Sequence, residues 1–238
     1  MSRHPVIVRL QCIASCFILA SAVLPVSAAA QVYLGHDIPH RGNVEISGGA
    51  VWSGGYDLGS VSADETRNTG TGTGPFVLFS ASSKTDPSLG LQGRLGLYLA
   101  SSVSVEGGVF VARPDISTEL TGDAESAPDL TATETLTRLV IDGSVLFHFT
   151  GASFDGGRGV PFVMGGGGYL RDAHEKNEVI ETGHEFHFGG GLQYWFGEGK
   201  HRFGVRADAA VSWRTGGADG ADTTRTVPMV GGSVAYLF

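Results

Sequence analysis

The chain has 238 residues, 37 of them glycine, with 16 Lys plus Arg against 24 Asp plus Glu and a formal net charge of −8. That balance argues against nucleic acid as a partner, because phosphate binding is driven by clustered basic residues. Both cysteines, Cys12 and Cys16, fall in the first thirty residues, so the rest of the chain has no disulfide framework and no thiolate site.

Residues 1–30 read as a secretory signal peptide. Arg3 and Arg9 supply the positive start, Cys16–Leu24 the apolar stretch, and Ser27–Ala30 the small residues for cleavage after Ala30. The Ile13–Cys16 stretch resembles a lipoprotein processing box, but Arg9 leaves too short an apolar run before Cys16, and the better run follows it. Residues 31–42 form an N-terminal lead. After residue 30 no apolar run reaches the ~18 residues of a spanning helix.

From residue 43 the pattern is alternation with period two, the signature of strands. Val44, Ile46, Ala50 and Trp52 oppose Glu45 and Ser47. Leu89, Leu91, Leu95, Leu97 and Leu99 oppose Gln92, Arg94 and Tyr98. Valines over 103–111 oppose Ser104, Glu106 and Phe110, and Leu139, Ile141, Val145, Phe147 and Phe149 oppose Arg138, Asp142, Ser144 and His148. The segment 160–171 is strand-like with no clear facing. Phe186, Phe188, Leu192, Tyr194 and Phe196 oppose His187, Gln193 and Trp195. Phe203, Val205, Ala207, Ala209, Val211 and Trp213 oppose Arg206, Asp208 and Ser212, and the last strand aligns Val230, Val234, Tyr236 and Phe238. That makes eight strands over 43–238. Short connections at 100–102, 150–159 and 197–201 alternate with long polar ones at 57–88, 114–134, 172–183 and 214–224. Residues 68–74 are low-complexity, and Phe76–Phe79 either extend a strand or form a hairpin.

Two arrangements share this periodicity: a soluble barrel or sandwich with apolar faces inward, and a membrane barrel with apolar faces toward lipid. The polar faces carry Glu45, Arg94, Glu106, Arg138, Asp142, Arg206 and Asp208 at mid-strand. An arginine facing lipid at the midplane costs ~2–4 kcal/mol, so in a membrane these charges must face the lumen, as a paired network. Aromatics collect at strand ends. Phe147, Phe149, Phe162, Tyr194, Phe196, Phe203, Tyr236 and Phe238 lie on the short-turn side, and Trp52, Tyr56, Tyr169, Phe186 and Trp213 on the long-loop side. Two such belts fit interfacial girdles. The expected fold is all-β: a closed antiparallel eight-stranded transmembrane β-barrel with up-and-down topology. The glycines near strand middles, Gly165–Gly168 above all, are expected to allow tight coiling and clear space for lumen side chains. A sharper reading makes lipid-facing glycines such as Gly190 and Gly232 a smooth groove for an acyl chain or a partner.

The final residues, Val234, Tyr236 and Phe238, resemble the terminal recognition signal of outer-membrane barrels, an aromatic end preceded by alternating apolar positions. The whole pattern over 43–238 resembles the small eight-stranded outer-membrane family that includes the OmpA membrane domain and OmpX. The resemblance implies a bacterial outer-membrane location and a monomer. It also implies engagement of the barrel-assembly machinery through the last strand, and contact with outer-membrane lipid and lipopolysaccharide. It is specific for architecture and weak for chemistry.

Candidate chemistry is sparse. His174, Glu175, His184 and His187 lie in or near the third long loop. Some small outer-membrane barrels deacylate or palmitoylate lipid A with a histidine at the rim, but no Ser–His stretch here matches them, so no enzymatic activity is expected. Asp115, Glu119, Asp123, Glu125, Asp129 and Glu134 make an acidic loop without calcium-loop spacing. It reads as solvated, with cation bridging to lipopolysaccharide as a lesser alternative. Gly165–Gly168 opens no helix and precedes no lysine, so it is not a phosphate cradle. No cofactor or metal is expected. The functional expectation is a structural and interaction module displaying four polar loops, its lumen plugged by a network of paired charged side chains. A narrow solute channel and a lipid A-modifying enzyme are the alternatives.

Overall fold

The computed structural model describes residues 38–65, 76–123, 128–174, 179–218 and 223–238. The signal segment, residues 31–37 of the lead, the low-complexity stretch 68–74, Glu125 and Glu175 lie outside them.

In chain order the strands are β1 (Val44–Ser53), β2 (Tyr56–Glu65), β3 (Phe76–Thr85), β4 (Ser88–Ala100), β5 (Val103–Ala112), β6 (Asp115–Thr121), β7 (Leu130–Thr135), β8 (Thr137–His148), β9 (Gly159–Ala173), β10 (Ile180–Phe196), β11 (Arg202–Gly216) and β12 (Thr224–Leu237). Eight of them close a barrel in the order β1-β12-β11-β10-β9-β8-β5-β4. Every neighbouring pair is antiparallel, and β1 closes the cylinder on β12, with Glu45 opposite Leu237 and Ser53 opposite Met229. Closure leaves no unpaired barrel edge, which is the condition for strands to cross a bilayer.

The facing is inverted relative to a soluble protein. Leu89, Leu91, Leu95, Phe186, Phe188, Phe203, Val205 and Val234 are exposed on the outside, while Glu45, Glu106, Arg138, Arg206, Asp208 and Arg214 are buried in the bore. A continuous apolar wall of this extent is incompatible with water and suits hydrocarbon. Leu95, 57% exposed at mid-strand, tests this directly. Leu95→Arg should cost ~2–4 kcal/mol in urea titrations of the barrel refolded in lipid vesicles. A change near zero would mean that this face meets water.

Segment 160–171 now has a definite facing. Val160, Phe162, Met164, Leu170 and Asp172 point inward, and Tyr169 and Arg171 outward. Its inner positions are apolar because Phe162 and Met164 pack under a charged side chain from β11, described below. Polarity therefore cannot distinguish its two faces. Two residues assigned to the aromatic belts belong to the interior. Phe162 is buried in the bore, and Tyr56 at the start of β2 turns inward to accept a hydrogen bond from Arg138.

The long connections differ most from expectation. Segments 57–88 and 114–134 are largely strand rather than loop. They form a four-stranded antiparallel sheet in the order β2-β3-β6-β7. Phe76–Phe79 belong to its β2–β3 hairpin. The order repeats that of the barrel strands β1, β4, β5 and β8 to which these segments connect, so the sheet continues that half of the wall beyond the rim. The third and fourth connections shrink to 174–179 and 217–223, because β9, β10, β11 and β12 run further than their apolar alternation. The short connection 150–159 is longer than a hairpin turn because it holds two 3₁₀ turns, Thr150–Ala152 and Asp155–Gly157.

The glycines serve clearance at specific points. A Cβ on Gly166 would overlap the Gly143 carbonyl oxygen and lie 2.8 Å from His187 Nε2. Gly232 faces outward with nothing within 4 Å of a would-be Cβ. Gly107, Gly143 and Gly167 adjoin one another in register on β5, β8 and β9.

Candidate functional site

Alternation along β1, β4, β5, β8 and β11 places all seven charges read from the sequence on the inner wall, and the structure sorts them into three tiers. At the short-turn end Tyr98, Trp195 and Leu237 fill the bore. There Glu45 Oε2 accepts hydrogen bonds from the Tyr98 hydroxyl at 3.0 Å and from Gln193 Nε2 at 2.9 Å. Glu45 is thus held by neutral donors rather than by a direct ion pair.

The middle tier centres on Arg206. Its Nη1 donates to both Glu106 oxygens at 2.8 and 3.0 Å, and its Nε to Asp208 Oδ1 at 3.1 Å. The guanidinium lies 4.5 Å from the centre of the Phe162 ring, and Nη2 reaches Met164 Sδ at 3.3 Å. Arg94 stands more loosely, 3.7 Å from Glu106 and 3.9 Å from Asp142, with its Nε donating to Gln92 at 3.1 Å.

The upper tier was only partly visible in the sequence. Arg138 pairs through two 2.8 Å bonds with Asp172 of β9, and Arg214 of β11 donates to Glu185 of β10 at 2.6 Å. Arg138 therefore stands apart from the central network. The expected network leaves out Asp172, Glu185 and Arg214. Glu185 and Arg214 follow His187 and Ser212 by simple alternation, whereas Asp172 ends a segment whose two faces polarity does not distinguish.

The histidines do not form one site. His184 faces outward beside Tyr169 with ring centres 6.5 Å apart. His187 lies in the bore, with Nε2 2.8 Å from Ser144 Oγ and Nδ1 3.7 Å from Glu185 Oε1. Ser104 and His148 form a second pair at 2.9 Å. A Ser–His–Glu line is therefore present, but it is buried. The adjoining cavity, lined by Arg94, Asp142, Met164, Glu185, His187 and Asp208, holds about 20 Å³. That is room for roughly one water and not for an acyl substrate. Among the described residues no three His, Cys, Asp or Glu side chains are placed to hold a metal ion. Asp115, Glu119 and Glu134 of the acidic segment stand on β6 and β7 rather than on a loop.

His174, just beyond β9, bridges two carboxylates: Nδ1 lies 2.9 Å from Glu134 on β7 and Nε2 3.4 Å from Glu181 on β10. Burial lowers its pKa, but the hydrogen bonds and charges of both glutamates outweigh burial and hold it above the ordinary imidazole value. The clasp is then complete below the ordinary value and is lost as pH rises through the raised one. Amides of β7, corrected for intrinsic exchange, should be better protected at about pH 6 than at about pH 8, and His174→Ala should remove the difference.

No protein-family model and no curated protein matches the sequence. Among solved structures the chain is similar to Neisserial surface protein A, at 9% identity, with 83% of this chain and 98% of that one covered and a TM-score of 0.47. It is similar to OprG from Pseudomonas aeruginosa, at 14% identity, 84% and 97% coverage and a TM-score of 0.45. It is also similar to Ail, the attachment invasion locus protein of Yersinia pestis, at 12% identity, 83% and 99% coverage and a TM-score of 0.44. The fold of the chain itself is a closed eight-stranded antiparallel barrel. The likenesses carry nothing about activity.

Proposed function

We propose that this protein is a plugged outer-membrane barrel, a structural and interaction module that presents the β2-β3-β6-β7 sheet outward on a rigid base. The observation that carries the reading is the filled bore. Trp195 and Tyr98 occupy one end, the Arg206–Glu106–Asp208 cluster over Phe162 the middle, and the Arg214–Glu185 and Arg138–Asp172 pairs the other. Such a bore supports a base better than a conduit.

The presented sheet has two unlike faces. Val61, Ala81, Leu120 and Leu130 align on one, and Ser60, Ser82, Glu119 and Thr131 on the other. Val61 is 73% and Leu130 58% exposed. Loop-end polar groups face the lipopolysaccharide leaflet in this reading, and Val234, Tyr236 and Phe238 present the last strand to the assembly machinery. The chain acts as a monomer without catalytic activity. Single-channel recording in planar bilayers is the test. A steady conductance of nanosiemens would reject the plug in favour of a channel. Silence, together with heat-modifiable migration after deletion of β2–β3 and β6–β7, is the expected outcome.

A further inference from the structure

We infer that the short-turn rim carries a binding site for the phosphate of an anionic phospholipid headgroup, in a cleft between the turn His40–Asn43 and the β10–β11 hairpin. The cleft holds about 560 Å³ and is lined by His40, Arg41, Asn43, Lys200, Arg202 and Phe238, among others. Among the described residues, none of those lining it is an Asp or Glu. The nearest acidic residue along the hairpin, Glu198, is exposed and lies 3.9 Å from Arg158.

The cleft is built from ordered parts. Gly42 takes φ +90°, its N–H donates to the Tyr98 carbonyl at 2.8 Å, and the His40 N–H donates to Asn43 Oδ1 at 2.6 Å. Asn43 Nδ2 in turn donates to the main-chain oxygen of Phe238 at 2.8 Å, which ties the turn to the last strand. These contacts hold exposed Arg41 at the rim. The hairpin turn, with Gly197 at φ +82° and Gly199 at φ +94°, brings Lys200 to the same opening. Arg202 is buried, its guanidinium 5.6 Å from the Trp195 ring centre.

A second feature points to lipid rather than free phosphate. Beside the cleft, Phe203, Tyr236 and Phe238 form an outward aromatic wall, with centroid separations of 4.8 Å and 4.7 Å, and His201 stacks on Tyr236. Phe203 and Phe238 are exposed on the surface that meets hydrocarbon. A phosphate seated between Arg41 and Lys200 would have acyl chains running down this wall. Short turns lie on the periplasmic side of such barrels, so the leaflet in reach is the inner one. A cation near an anionic lipid surface contributes roughly fivefold in affinity, and the contribution falls with salt.

The test is native mass spectrometry of the full barrel, released from detergent after exposure to equal amounts of phosphatidylglycerol and phosphatidylcholine. Phosphatidylglycerol should be retained preferentially. The double variant Arg41→Ala/Lys200→Ala, at two exposed positions, should retain it roughly twenty-five-fold less well. Arg113→Ala/Arg171→Ala, which removes exposed cations at the opposite end, should leave retention unchanged. Heat-modifiable migration verifies that each variant folds. Equal retention of both lipids overturns the proposal, as does loss only in the loop-end variant. Displacement by excess inorganic phosphate, with glycerophosphate bound as well as the intact lipid, assigns the cleft to a soluble anion and overturns the lipid.

Discussion

Arg206→Met should destabilise the folded barrel by about 3–5 kcal/mol, read as a lowered urea midpoint in lipid vesicles at unchanged slope. Among the described residues the guanidinium is the one cation hydrogen-bonded to both Glu106 and Asp208, and it is nearly inaccessible in the bore. Removing it leaves two carboxylates facing each other in a confined space, where an unpaired charge is costly. Arg94, 3.7 Å from Glu106, is too loosely placed to replace those bonds. Adding Glu106→Gln and Asp208→Asn to Arg206→Met should recover most of the loss, since a buried charge cluster replaced as a unit is often nearly neutral. If the single variant is as stable as the parent, the middle tier is not holding the bore together.

Two glycine substitutions of the same chemistry should have opposite consequences. Gly166→Ala puts a methyl group against the Gly143 carbonyl oxygen, 2.7 Å from Ser144 Oγ and 2.8 Å from His187 Nε2. The carbonyl belongs to the paired strand β8, so the wall itself must move, and ~3 kcal/mol, the upper end of overpacking costs, is expected. Gly232→Ala meets nothing within 4 Å and points to the outside. It should change stability by less than ~0.5 kcal/mol, or raise it slightly through reduced unfolded-state entropy. Parallel urea titrations decide the point. A harmless Gly166→Ala would show that coiling alone, and not clearance for His187 and Ser144, explains the glycine run.

The lumen was legible as a set and not as pairs. Glu45, Arg94, Glu106, Arg138, Asp142, Arg206 and Asp208 all occupy inner positions, because alternation along a strand is local and one strand suffices to read it. Their partners depend on register between strands far apart in sequence. Arg206 meets Glu106 across 100 residues, and Gln193 meets Glu45 across 148. The β2-β3-β6-β7 sheet is illegible in the sequence for another reason. Its alternation sets Ser60 and Ser62 against Val61 and Ala63, and Ser80 and Ser82 against Phe79 and Ala81. Between serine and alanine the polarity contrast is small, and the eye takes such a stretch for a polar loop.

The amino-acid order by itself determined the all-β class, the count of barrel strands and the direction of their apolar faces. Each rests on a two-residue repeat, and on the high cost of turning an arginine toward hydrocarbon. Only the tertiary structure decided which carboxylate each arginine meets, that Phe162 and Met164 face inward beneath Arg206, and that two of the four long connections rise as a sheet. Those outcomes depend on closure of the cylinder, a long-range condition that sets every register at once and leaves no trace within any single strand.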